Sequence, residues 1–131
     1  MIGKIYITNY HLEDNQNGKL LIISKNNLSD ISLLETAPYP YKIFSINNNI
    51  FIYHYQVTSG KSTLITKIDN QNFEKTEIKV PINSHLIQGN KNFYLLKLEK
   101  DSIKLEKRNA KAENIKNDII PISSPIYIAN F

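Results

Sequence analysis

Residues 50–57 read Ile-Phe-Ile-Tyr-His-Tyr-Gln-Val. Successive side chains of a β-strand point to opposite faces, so Ile50 and Ile52 share one face while Phe51, Tyr53, Tyr55 and Val57 share the other. A sheet with one solvated face alternates apolar with polar residues. Apolar groups on both faces describe a strand in a sheet stacked between two others, as the blades of a propeller are.

Shorter versions of the same run occur twice more. Ile5-Tyr6-Ile7 lies 45 residues before Ile50-Phe51-Ile52, and Phe93-Tyr94-Leu95 lies 43 residues after it. A second marker recurs as TAPYPYKIF (36–44), VPINSHLIQ (80–88) and IPISSPIYI (120–128). The last two share Pro81 with Pro121, Ile82 with Ile122 and Ser84 with Ser124. Four strands every 40–45 residues or so is the period of a propeller blade.

Between these markers the chain alternates with period two, and its breaks are rich in Asn, Asp, Gly and Ser, the residues that turn a chain tightly. About twelve short antiparallel strands are expected, in a single all-β domain over residues 1–131. The stretch LEKRNAKAENIKND (105–118) has helix-forming composition, but Asn109 and Asn114 bracket its centre, which reads as a hairpin. Two four-stranded blades are legible, over 41–80 and 85–120. The third is assembled from the first three strands and the last one, SPIYIANF (124–131). Three blades do not close a ring, since propellers hold about four to eight. The expected assembly is a homodimer in which a second chain completes a six-bladed ring through a heterologous contact. The alternative for the same strand count is a compact β-sandwich or barrel.

Tyr6-Ile7-Thr8-Asn9 resembles the YVTN-type β-propeller repeat, and Tyr127-Ile128-Ala129-Asn130 is similar to it. The resemblance implies an inner strand entered from a turn bearing glycine and proline. Pro40 and Pro125 keep that proline, His85 stands where it would be, and the glycine is missing each time. It also implies a non-catalytic scaffold or binding surface, and it transfers no catalytic residue.

Composition narrows the function. With no cysteine there is neither a disulfide framework nor a thiolate metal site, and a cytoplasmic location is expected. The N-terminal MIGKIYITNYHLED is broken by Lys4 and is neither a signal sequence nor a membrane span. The net charge is +4, yet only one of sixteen basic residues is arginine and the lysines are scattered. Nucleic-acid binders cluster Arg and Lys on one face, so nucleic acid is not expected as a partner.

The motifs are weak as chemistry. Ser59–Thr63, SGKST, resembles the end of a phosphate-binding loop, but Tyr55 occupies the position of the required first glycine and a strand pattern follows. His11, His54 and His85 are far apart in sequence, and EDNQNG (13–18) and DNQN (69–72) lack calcium-loop spacing. No metal, cofactor or catalytic residue is expected. Ala37–Lys42, APYPYK, is different, because two prolines stiffen a loop expected to display Tyr39 and Tyr41. Rigid tyrosines are favoured on recognition surfaces because little entropy is lost when they bind. The candidate binding residues are Tyr39, Tyr41, His54, Tyr55 and His85. They suit a non-catalytic module with a protein partner, or a small inhibitor or immunity-type protein. A sugar- or small-molecule-binding propeller is the remaining alternative, weakened by the absence of Trp.

Overall fold

The computed structural model describes residues 3–9 and 16–122. Every element among them is a strand: β1 (Lys4–Asn9), β2 (Asn17–Ser24), β3 (Ile31–Pro38), β4 (Pro40–Ile46), β5 (Asn49–Gln56), β6 (Lys61–Asp69), β7 (Lys75–Lys79), β8 (Ser84–Gln88), β9 (Phe93–Leu98), β10 (Ser102–Arg108) and β11 (Asn114–Pro121). They form three antiparallel meanders in chain order, β1-β2-β3, β4-β5-β6-β7 and β8-β9-β10-β11. The protein is therefore all-β with propeller-like blades. Its two four-stranded sheets start and end within a residue of the boundaries read from the sequence. The strand expected to complete the first blade, residues 124–131, lies outside the described residues, as does His11.

The turns follow from their residues. Asn47 takes a positive φ of 54° between β4 and β5. Gly60 does so at 67° and donates its N–H to the Gln56 carbonyl at 2.8 Å. SGKST is thus a hairpin turn followed by strand β6, with no helix to present a phosphate site. The Asp69 carboxylate accepts from the backbone N–H of Gln71 and of Asn72 at 2.8 and 3.1 Å. Those two bonds hold its carboxyl below the usual range. Asn109 caps the amides of Lys111 and Glu113 in the same way, which makes 105–118 the expected hairpin.

The sheets stack in chain order. Ile50, Ile52 and Ile68 of the second sheet pack with Leu20 and Ile22 of the first. On the opposite face Phe44, Ile46, Phe51, Tyr53 and Ile65 pack with Leu86, Phe93 and Leu95 of the third. Phe44, Phe51 and Phe93 form a triangle with ring centroids 5.1, 5.5 and 5.3 Å apart. β5 is the middle layer, and both of its faces are core. Each such side chain buried fully contributes about 1.5–3 kcal/mol.

The crossings between sheets are short and share a device. Tyr39 joins β3 to β4 with φ 62°, and Asn83 precedes β8 with the same φ of 62°. Asparagine visits the left-handed region readily, whereas a tyrosine there is uncommon and strained. The second crossing is held by Ser62, whose hydroxyl donates to the Pro81 carbonyl at 2.7 Å and lies 3.1 Å from the Ser84 hydroxyl. Tyr53 adds a buried hydroxyl bond to the Ser84 carbonyl at 2.6 Å.

Candidate functional site

Residues 38–41 form a corner where the first sheet hands over to the second, and four of the five sequence candidates meet there. β4 and β5 pair regularly up to Lys42 opposite Tyr53, and the next pair is Pro40 opposite His54, so Tyr41 is an extra residue in a β-bulge. A bulge bends its strand and re-aims the side chain it carries. Tyr41 accordingly stands 45% exposed. Its ring lies 5.4 Å from that of Tyr55, tilted by 47°, and Tyr55 lies 5.9 Å from Tyr53 in a near-parallel stack. The Lys42 ammonium is 5.9 Å from the Tyr41 ring centroid. The ladder runs from an exposed tyrosine to a buried one. Burial pushes the Tyr53 hydroxyl up to about 12, against the lowering effect of its neighbours Ser62 and Ser84.

Tyr39 corrects the expectation of a displayed pair. It is buried at 8% exposure. Its carbonyl accepts from the Tyr55 N–H at 3.0 Å, and its hydroxyl accepts from the Gln56 side-chain amide at 3.3 Å. The chain has to turn within a single residue between two prolines, and this turn directs the ring into the protein. Tyr39 braces the corner from below while Tyr41 is its outer surface.

His54 is fully buried and shares the Ile50/Ile52 face, so it points toward the first sheet. Its Nδ1 lies 2.8 Å from the Pro38 carbonyl and its Nε2 2.8 Å from the Thr66 hydroxyl. A carbonyl only accepts, so Nδ1 carries the proton and the Thr66 hydroxyl donates to Nε2. One neutral imidazole thereby ties the end of β3 to β6. Burial lowers its pKa to about 4, with the backbone bonds to Pro38 and Ala37 opposing the shift. His54 is a clamp beneath the corner, and its ring is closed to a ligand. Thr66 also lines a cleft of about 190 Å3 with Asn17, Glu35, Thr36, Lys75 and Glu77.

His85 is not brought to this group by its own side chain. Leu86 faces the second sheet, so its strand neighbour His85 lies on the far face of the third. The corner also depends on groups that sequence reasoning passed over: Thr66, the Pro38 carbonyl, and the bulge itself. Neither the bulge nor the His54–Thr66 pair has a local sequence signal, since both depend on which strand lies alongside. Among the described residues no group of three or more His, Cys, Asp or Glu is placed to hold a metal ion. Among the same residues no helix is long and apolar enough to cross a membrane.

No family model matches the sequence. The comparison with curated proteins likewise gave no match. Among solved structures the chain is similar to the β-propeller domain of the Trilobed protease from Pyrococcus furiosus, a domain noted for an open velcro topology. The TM-score is 0.59 at 13% identity, and the match covers 90% of this chain. It covers 39% of that one, so the chain spans well under half of the propeller it resembles. The likeness is one of fold.

Proposed function

We propose that this chain is a non-catalytic interaction module whose bulged corner, Tyr41 backed by Tyr55, engages a protein partner. The observation that carries the reading is a tyrosine held 45% exposed on a bulge while its ring leans on a second ring 5.4 Å away. Its backbone is set by Tyr39 and by the His54 clamp, so ordering it on binding costs little. Preorganised aromatic area of this kind contributes disproportionately to affinity. The neighbouring Lys42 gives the corner a positive rim, which suits a partner surface with acidic groups around an apolar pocket.

The test is quantitative binding to the partner recovered from the native cell, measured by calorimetry with purified proteins. Tyr41→Ala is expected to weaken binding by more than about 2 kcal/mol, the usual threshold for a dominant contact. Tyr41→Phe should retain most of the affinity, because the ring supplies the area. Unchanged affinity in a folded Tyr41→Ala protein would place the recognition surface elsewhere. If the partner is an enzyme, loss of its activity in the complex identifies the module as an inhibitor or immunity-type protein.

A further inference from the structure

The three repeats differ in what covers them. In the second and third, the outer two residues of the marker, Ile50 and Ile52 or Phe93 and Leu95, are buried against the preceding sheet. In the first, no sheet among the described residues lies over the equivalent Ile5 and Ile7, which are 39% and 48% exposed. They do not stand alone. The pairing Ile5–Ile23–Ile31 and Ile7–Leu21–Leu33 continues the same face across all three strands, making a surface of six branched aliphatic side chains. Ile31 and Leu33 are 52% and 59% exposed.

The opposite end of the stack carries the complementary half. The middle marker residue faces the following sheet: Tyr6 packs on the second sheet and Phe51 on the third. Tyr94 occupies this position in the third repeat, on the face turned away from the second sheet. Around it, register places Ile87, Leu96 and Leu105 where the second sheet has Phe44, Tyr53 and Ile65. Those three, with Phe51 and Ile46, are the buried residues on the second sheet's side of its contact with the third, and only the Ile46 position, Gly89 in the third repeat, lacks an apolar counterpart. Among the described residues one kind of face-to-face contact is therefore built twice, and the two end sheets carry the complementary halves of a third.

We infer that the open face of the first sheet, centred on Ile7 and Leu33, receives the open face of the third sheet, centred on Tyr94 and Leu96, of a second copy of this chain. The contact is heterologous, and with two copies it closes, because the second copy's first sheet meets the first copy's third. Six sheets then form a ring of ordinary propeller size. The inference uses surfaces separate from Tyr41 and does not depend on the partner proposed above.

Light scattering on the size-separated full chain at micromolar concentration should give a particle of twice 15.1 kDa. Ile7→Lys and, separately, Leu96→Lys should each raise the dissociation constant at least 100-fold and yield folded monomers by circular dichroism. Leu33→Lys and Ile120→Lys, at more exposed positions of the same two faces, serve if either of the first pair fails to fold. The decisive step is mixing the two monomeric variants. One undamaged contact remains between them, so a mixed dimer should reappear at equimolar ratio, while the second contact carries two lysines and stays open. A wild-type monomer overturns the inference. So does a dimer that Ile7→Lys abolishes and both Leu96→Lys and Ile120→Lys leave intact, since that pattern belongs to two first sheets meeting face to face. Tyr41→Ala should leave the mass unchanged.

Discussion

His54 should make the stability of this protein fall with pH in a window set by its burial. The imidazole is neutral in the folded state because charging it without water is costly, which lowers its pKa from 6.5 to about 4. Above 6.5 neither folded nor unfolded chain is protonated there, so the group has no pH dependence. Between 6.5 and about 4 the unfolded chain binds a proton that the folded chain refuses, and stability is lost as pH falls. Below about 4 both are protonated and the loss is complete. At about 1.36 kcal/mol per tenfold change in proton affinity, the gap from 6.5 to about 4 amounts to about 3 kcal/mol. That is a large part of the 5–15 kcal/mol or so that holds a domain of this size together.

The measurement is urea unfolding by circular dichroism at pH 7.5, 6.5, 5.5 and 4.5, for the native chain and His54→Phe at equal concentration. Phe does not titrate, so subtracting its profile removes the carboxylates, Asp69 among them. At pH 7.5 the variant should be less stable by about 1–3 kcal/mol, because the Pro38 carbonyl and Thr66 hydroxyl lose their partner in a buried site. As pH falls that gap should shrink throughout, and from a starting value at the lower end of this range it should reverse by pH 4.5. Parallel profiles from pH 7.5 to 4.5 would mean that His54 titrates equally in both states and that the clamp is solvated.

Two further substitutions separate the corner's support from its surface. Tyr39→Ala removes a ring that is 8% exposed and should cost about 3–5 kcal/mol, whereas Tyr41→Ala should cost less than about 1 kcal/mol; thermal melts of the two, run side by side, check the ordering. Gly18→Ala would place a Cβ 2.5 Å from Pro40 Cγ and 2.7 Å from Thr36 Oγ1. The closely packed β2–β4 approach cannot absorb this, and a loss of about 1–3 kcal/mol is expected in the same melts.

The strands, turns and blade boundaries were legible because each depends on neighbours in the chain. Asn109 and Gly60 turn the backbone with their own side chains or lack of one. Alternation in IFIYHYQV states that β5 has two apolar faces, and the 43–45-residue spacing of its echoes states that similar layers lie on either side. Even the partition of faces, Ile50 and Ile52 against Phe51 and Tyr53, needed only the period of a strand. What needed tertiary structure was the fate of individual polar and aromatic groups. APYPYK reads as a stiff loop displaying two tyrosines, yet one residue at φ 62° and one bulge send Tyr39 inward and Tyr41 outward. His54 looks like any strand histidine until Pro38 and Thr66, 16 and 12 residues away, meet its two nitrogens. Hydrogen bonds are directional over about 3 Å, so their partners follow from how sheets abut, whereas the hydrophobic pattern is non-directional and is carried by the order of residue types alone.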